Sequence, residues 1–268
     1  MRLVFAAAVM AGFLGVSGAA QARELCTVVA DAATRTVLVQ EGDCETRVTP
    51  ASTFKVALAV MGYEAGIITS AHAPKLPFKE GYPDWMGEAW RQDTDPTMWM
   101  VNSTVWYSQR LTEMLGAEAL TNYAQNLGYG NADFSGDPGK DNGLERAWIS
   151  SSLKISPLEQ AGFMAALVEG TLPVSAAAMA GARELIQVGG EVDGWVLRGK
   201  TGSAFPRKAD GNFDRARGWA WYVGWAEKGD RRLVFVRLAQ DERRETVSGG
   251  LRAREALVAD WAKLVEGF

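Results

Sequence analysis

Histidine is nearly absent from this 268-residue chain, in which His72 stands alone within a proline-rich stretch. A Ser-His-Asp triad would have to be built on that one residue, and its loop setting reads instead as a solvated side chain. Cysteine is almost as scarce. The two present, Cys26 and Cys44, lie far from His72, so a zinc site of imidazole and thiolate ligands is not expected, and no metal is assigned. An excess of positive charge is missing too. The formal net charge of -4 gives no overall attraction for phosphate backbones or anionic lipids, so neither nucleic acid nor a membrane surface is an expected partner. An anionic ligand would have to be drawn by local charge.

With 47% hydrophobic residues, the chain can fill one large core or a two-lobed domain, and no repeat or low-complexity linker divides it. It begins with Met1 and Arg2, an apolar run to about Val16 and small residues ending Ala20-Gln21-Ala22, the pattern of a secretory signal with its cleavage site. The run is short for a membrane span. Residues 1–22 are therefore expected to be a cleaved signal peptide and residues 23–268 one mature domain, periplasmic or secreted and free of the membrane. An oxidising compartment gives the cysteines a meaning. Strand-forming residues at Val28 to Ala30 and Thr36 to Val39, with a turn near Ala32 to Arg35, predict a hairpin that brings Cys26 and Cys44 towards one disulfide.

Farther along, residues 70–95 carry Pro74, Pro77, Gly81, Pro83 and Gly87 and read as an extended loop. Asp95-Pro96 opens a short helix near Thr97 to Met100, and Leu111 to Leu127 reads as another, stopped by Gly128. Ser156-Pro157-Leu158-Glu159 is a capping box that starts a helix through Val168. An alanine-rich helix is expected over Val174 to Val188. Trp195 to Leu197, Trp219 to Trp225 and Leu233 to Leu238 are strand-like, and a helix near Ala253 to Val265 closes the chain. Strands at both ends with helices between them predict an α+β fold: an antiparallel sheet built from N- and C-terminal segments, flanking helices and an inserted helical lobe.

The stretch PASTFKVALAVMGY, residues 50–63, concentrates the chemistry. Ser52 and Lys55 are three residues apart at the start of an apolar helix, so a hydroxyl and an amine share one helix face. Val56 to Met61 make that helix buried nearly all round, and burial disfavours the ammonium, leaving more neutral amine to take a proton. Ser151 and Lys154 repeat the spacing in a polar stretch that would leave the lysine solvated. Three further pieces accompany Ser52-Thr53-Phe54-Lys55: Ser103-Thr104-Val105, Tyr129-Gly130-Asn131 and Lys200-Thr201-Gly202.

In that order, and with Trp148 before Leu153-Lys154-Ile155-Ser156-Pro157 and Gln160, these motifs resemble the active-site set of the class D serine β-lactamases, over essentially the whole mature chain. The resemblance implies hydrolysis of penicillin-type β-lactams, small-molecule substrates, through an acyl-enzyme on Ser52. It implies that Lys55 is N-carboxylated and acts as base, which requires carbon dioxide or bicarbonate and no other cofactor. Trp148 would hold the carbamate and Val105 keep it dry. Ser103 would relay a proton, Lys200 add positive charge, and the backbone N–H groups of Ser52 and Ser203 form the oxyanion hole. Thr201 and Gly202 would bind substrate, with Tyr129 and Asn131 shaping the site. The family places an arginine for the substrate carboxylate at the start of the last helix. Arg254, with Leu257 and Trp261 spaced behind it, is preferred over Arg252. A β-lactam sensor domain, acylated without turnover, shares these motifs and is the alternative. Oligomeric state is not readable from these residues.

Overall fold

The computed structural model describes residues 22–268, so the expected signal peptide lies, but for Ala22, outside the described residues. Six strands form one antiparallel sheet: β1 (Arg23–Asp31), β2 (Val37–Gly42), β3 (Val188–Val192), β4 (Trp195–Ala204), β5 (Trp219–Lys228) and β6 (Arg231–Gln240), in the order β2-β1-β6-β5-β4-β3. The N-terminal hairpin pairs with the last strand, as the end-loaded strand pattern predicts. Cys26 and Cys44 form the expected disulfide across an 18-residue separation. Both faces of the central strands are covered, which is why β5 and β6 read as nearly continuous apolar runs.

One face packs against α6 (Pro157–Val168), with α1 (Phe54–Glu64), α2 (Pro96–Asn102), α3 (Val105–Leu115), α4 (Ala117–Asn126), α5 (Gly143–Arg146) and α7 (Ala176–Glu184) forming the inserted lobe around it. The other face packs against α8 (Gly249–Leu264). Neighbouring side chains split accordingly: Val28 enters the α6-face core and Val29 the α8-face core, the period of two of a strand covered on both sides. Ser156 caps α6 in a full capping box, and Asp95 caps α2 by accepting from the Met98 N–H.

Three elements differ from the sequence pattern. The expected helix from Leu111 to Leu127 is two helices, α3 and α4, because Gly116 takes φ 76° and ψ 161°, which no helix can pass through. The alanine-rich helix stops at Glu184, and Val188 to Val192 peel off to pair with β4, a long-range contact that local propensity does not carry. Helix α8 starts at Gly249, four residues before the expected Ala253. Its glycine pair fits there because a methyl group on Gly250 would fall 2.9 Å from backbone atoms of Gly202. Those glycines bring the helix N-terminus against the strand that carries Lys200.

Candidate active site

Ser52 sits in a single 3-10 turn, Ala51–Thr53, which leads into α1. Ala51, one residue before it, has φ 52°, a left-handed conformation unusual for alanine that costs energy unless neighbours impose it. The neighbours are visible. The Thr53 hydroxyl donates to the Pro50 carbonyl at 2.7 Å and accepts from the Gln160 amide at 2.8 Å, with Thr53 and Gln160 both buried. On the other side, β4 presses so closely that a methyl on Gly202 would lie 2.9 Å from the Pro50 carbonyl oxygen. Only β3 covers the outer edge of β4, and it pairs with Trp195 to Arg198, leaving the Lys200 to Ala204 half beside the Ser52 turn.

Lys55 is completely buried, and its Nζ stands 3.2 Å from the Ser52 hydroxyl. Burial pushes its pKa well below the usual lysine value, and the charge of Lys200 pushes the same way. Lys200, 5% exposed, reaches in from β4 and donates to the Ser103 hydroxyl and the Thr201 carbonyl, each at 3.1 Å. Its own pKa falls to about 8, because burial disfavours the charge. Ser103 is the left-handed C-cap of α2, φ 56°, a turn that carries its side chain towards the sheet. Two amines and two hydroxyls therefore converge, and among the described residues no carboxylate is paired with either amine.

A pocket of about 390 Å³ opens onto this group, lined by Ser52, Ser103, Val105, Ile149, Thr201, Gly202, Ser203 and Ser248, with an apolar mouth. Trp85, Met86, Val101 and Leu251 form much of that mouth and are 60%, 64%, 53% and 38% exposed, a concentration of wet apolar surface that marks a recognition rim. The sequence pattern missed these four. Their only signal was two large apolar residues stranded inside a proline- and glycine-rich loop.

The chain matches the model of the penicillin binding protein transpeptidase domain over residues 25–263. Among curated proteins, β-lactamase OXA-9 of Klebsiella pneumoniae is 40% identical over 235 residues, covering 88% of this chain and 86% of that one. β-Lactamase OXA-1 of Escherichia coli is 34% identical over 236 residues, 87% of this chain and 82% of that one. Among solved structures, that of the class D β-lactamase OXA-427 superposes with a TM-score of 0.81 at 44% identity, covering 90% of this chain and 99% of the other. This chain belongs to the class D β-lactamases. The regulatory protein BlaR1 of Bacillus licheniformis is a more distant relative, 31% identical over 204 residues, 74% of this chain and 30% of that protein.

Within this class D chain the remaining candidates stand in three places. Trp148 is 1% exposed, its ring 5.4 Å from that of Phe54, and its indole N–H is buried with no hydrogen-bond partner among the described residues. Tyr129 packs on Phe54 and Phe163 behind the nucleophile helix, and burial holds its phenol far above the usual range. Asn131 is farther off: its side chain donates to the Ser152 carbonyl and accepts from the Lys154 N–H, bracing the segment after Trp148 rather than lining the pocket. His72 is exposed, as expected, and its Nδ1 lies 2.9 Å from Asp95.

The two candidate arginines stand apart from this pocket. Arg254 lies one turn into α8 and is turned to the α8 face of the sheet, near Tyr222 and with its Cδ 3.5 Å from where a methyl on Gly189 would stand. Arg252 is paired with Asp241. Neither lines the pocket. Leu257 and Trp261 are fully buried, so α8 packs through the face that the spacing behind Arg254 marks, and a side chain in phase with those two lies towards the sheet.

Proposed function

We propose that this enzyme hydrolyses the β-lactam ring of penicillin-type antibiotics through an acyl-enzyme on Ser52. The observation that carries the reading is the Ser52 hydroxyl at 3.2 Å from the Nζ of a wholly buried Lys55 whose charge is disfavoured. A hydroxyl becomes a useful nucleophile only beside a group that can take its proton, and an amine kept neutral by burial meets that condition. Lys200 donates to Ser103, and these two are assigned to add positive charge to the site and to pass a proton to the departing nitrogen. The backbone N–H groups of Ser52 and Ser203 are assigned to the carbonyl oxygen, and Thr201 and Gly202, which line the pocket, to substrate binding.

The residues also fit N-carboxylation of Lys55. Only a neutral amine adds carbon dioxide, Val105 gives an apolar wall, and the unpaired Trp148 indole is a donor in want of an acceptor. As N-carboxylysine, residue 55 supplies a general base for both acylation and deacylation. The disulfide fits action outside the cytoplasm, in the periplasm or beyond, after removal of residues 1–22.

A time course with a chromogenic penicillin, run alongside intact mass, tests the proposal. The protein should consume many equivalents per Ser52, and Trp148→Ala should accumulate the adduct. Consumption of one equivalent, with the adduct mass persisting for hours, would make the chain a receptor instead. Labelled bicarbonate should give a carbamate carbon resonance that Lys55→Ala abolishes. An unmodified Lys55 in fully active protein at neutral pH would remove the carbamate from this account.

A further inference from the structure

Two stretches a hundred residues apart in sequence meet behind the nucleophile, and Thr49 joins them. Its side chain is 3% exposed. The hydroxyl donates to the Trp148 carbonyl at 2.8 Å and accepts from the Ser150 N–H at 3.1 Å, so one group satisfies both peptide groups that bracket Ile149. The Thr49 carbonyl in turn accepts from the Trp221 indole at 2.9 Å, which fixes Thr49 to β5. Ser150 is in the left-handed region, φ 56°, a conformation that a serine keeps when its surroundings impose it. Ile149 lines the pocket, and Ser52 follows Thr49 by three residues.

The indole N–H of Trp148 has no partner among the described residues, so its direction depends on the ring packing against Phe54 and on the backbone that carries it. Among the described residues, Thr49 is the one side chain that hydrogen-bonds to the Trp148 peptide. We propose that Thr49 is a positioning residue, whose hydroxyl sets the backbone of Trp148 and thereby aims its indole at Lys55. This rests on the reading of Lys55 as carboxylated with Trp148 as its donor. A threonine here does what valine cannot. The two have nearly the same shape, but valine would leave the Trp148 carbonyl and the Ser150 N–H without their shared partner.

The experiment titrates labelled bicarbonate into the mature wild-type protein, Thr49→Val and Thr49→Ser, reading the carbamate carbon resonance together with kcat/KM. Thr49→Val should need about tenfold more bicarbonate for half-maximal signal, the scale of one buried hydrogen-bond group lost, and added bicarbonate should restore its turnover. Thr49→Ser, which keeps the hydroxyl, should stay within about twofold of wild type. If Thr49→Val titrates as the wild type does, even with a lowered melting temperature, Thr49 is structural only and the proposal is wrong. If the wild type itself gives no carbamate resonance, the Lys55 reading fails and takes this one with it. Should Thr49→Val not fold, Thr49→Ala replaces it, and an alanine variant that titrates with the serine variant overturns the proposal.

Discussion

On the α8 face of the sheet Arg237, 4% exposed, lies between the Thr27 hydroxyl at 3.0 Å, Asp260 at 2.7 Å and Glu24 at 3.3 Å. On the opposite face Lys55 and Lys200, 0% and 5% exposed, have hydroxyl and carbonyl partners and no carboxylate. Taking a cation out of water is costly unless an anion answers it, so the two faces solve one problem in different ways. The α8 face neutralises its charge within the fold. The α6 face leaves its amines wanting an anion or, for the neutral amine, a proton, an arrangement typical of a site that acts on something else. Backbone strain has a similar distribution: of the six non-glycine residues with positive φ among the described residues, Ala51 precedes the nucleophile and Ser103 accepts from Lys200, while Arg35, Ala132, Ser150 and Asp193 contact neither amine.

The largest effect that would sharpen this contrast comes from Lys55. Lys55→Met should lower kcat/KM for penicillins on the order of 10⁴-fold, while urea unfolding shows little loss of stability, because methionine keeps most of the buried volume and no ion pair is lost. A variant that unfolds instead would make Lys55 a structural group like Arg237. The reciprocal change is Arg237→Ala, which should cost about 2 kcal/mol in urea unfolding by stranding Asp260 and Glu24, both partly wet, and leave kcat within about twofold. If Arg237→Ala mainly lowers kcat, the two faces are not independent.

Lys200 offers a pH test. Its pKa is about 8 in the folded protein against 10.5 for an ordinary lysine. Since the folded value is the lower one, the buried charge costs stability below pH 8, and that cost fades as pH rises from about 8 to 10.5. Lys200→Met should therefore melt higher than its parent at pH 7 and lose that advantage by pH 10.5. For the parent, KM for an anionic penicillin should rise roughly tenfold per pH unit above 8 as the cation disappears, and Lys200→Arg should move that limb beyond the accessible range. A KM flat to pH 10 would remove Lys200 from substrate binding. The smallest effect expected is at Arg254: Arg254→Ala should change kcat/KM by less than about twofold, being turned to the α8 face. A tenfold loss would bring that guanidinium back to the substrate.

Much of this was legible before the fold was known, for reasons that are local. Ser52 and Lys55 share a helix face by spacing alone, and the apolar run after them foretold the burial that lowers the Lys55 pKa. The capping box at Ser156, the cap at Asp95 and the pairing of Cys26 with Cys44 are likewise written in short stretches. End-loaded strands and a helical middle were enough to give the architecture.

Tertiary structure decided what depends on residues far apart or on absolute direction. Lys200 meets Ser103 across 97 positions, Thr49 meets Trp148 across 99, and Gln160 meets Thr53 across 107, contacts with no local signature. Periodicity gives the relative phase of side chains on a helix but not which of them meets the pocket, and neither Arg252 nor Arg254 lines it. A loop without periodicity gave no warning that Trp85 and Met86 would stand at the mouth. The sequence determined which groups are candidates for the chemistry, because spacing and burial act through nearest neighbours on a helix or strand. Which groups face one another was decided by the sheet, because only its packing brings α1, α2, β4 and the Trp148 segment to one place.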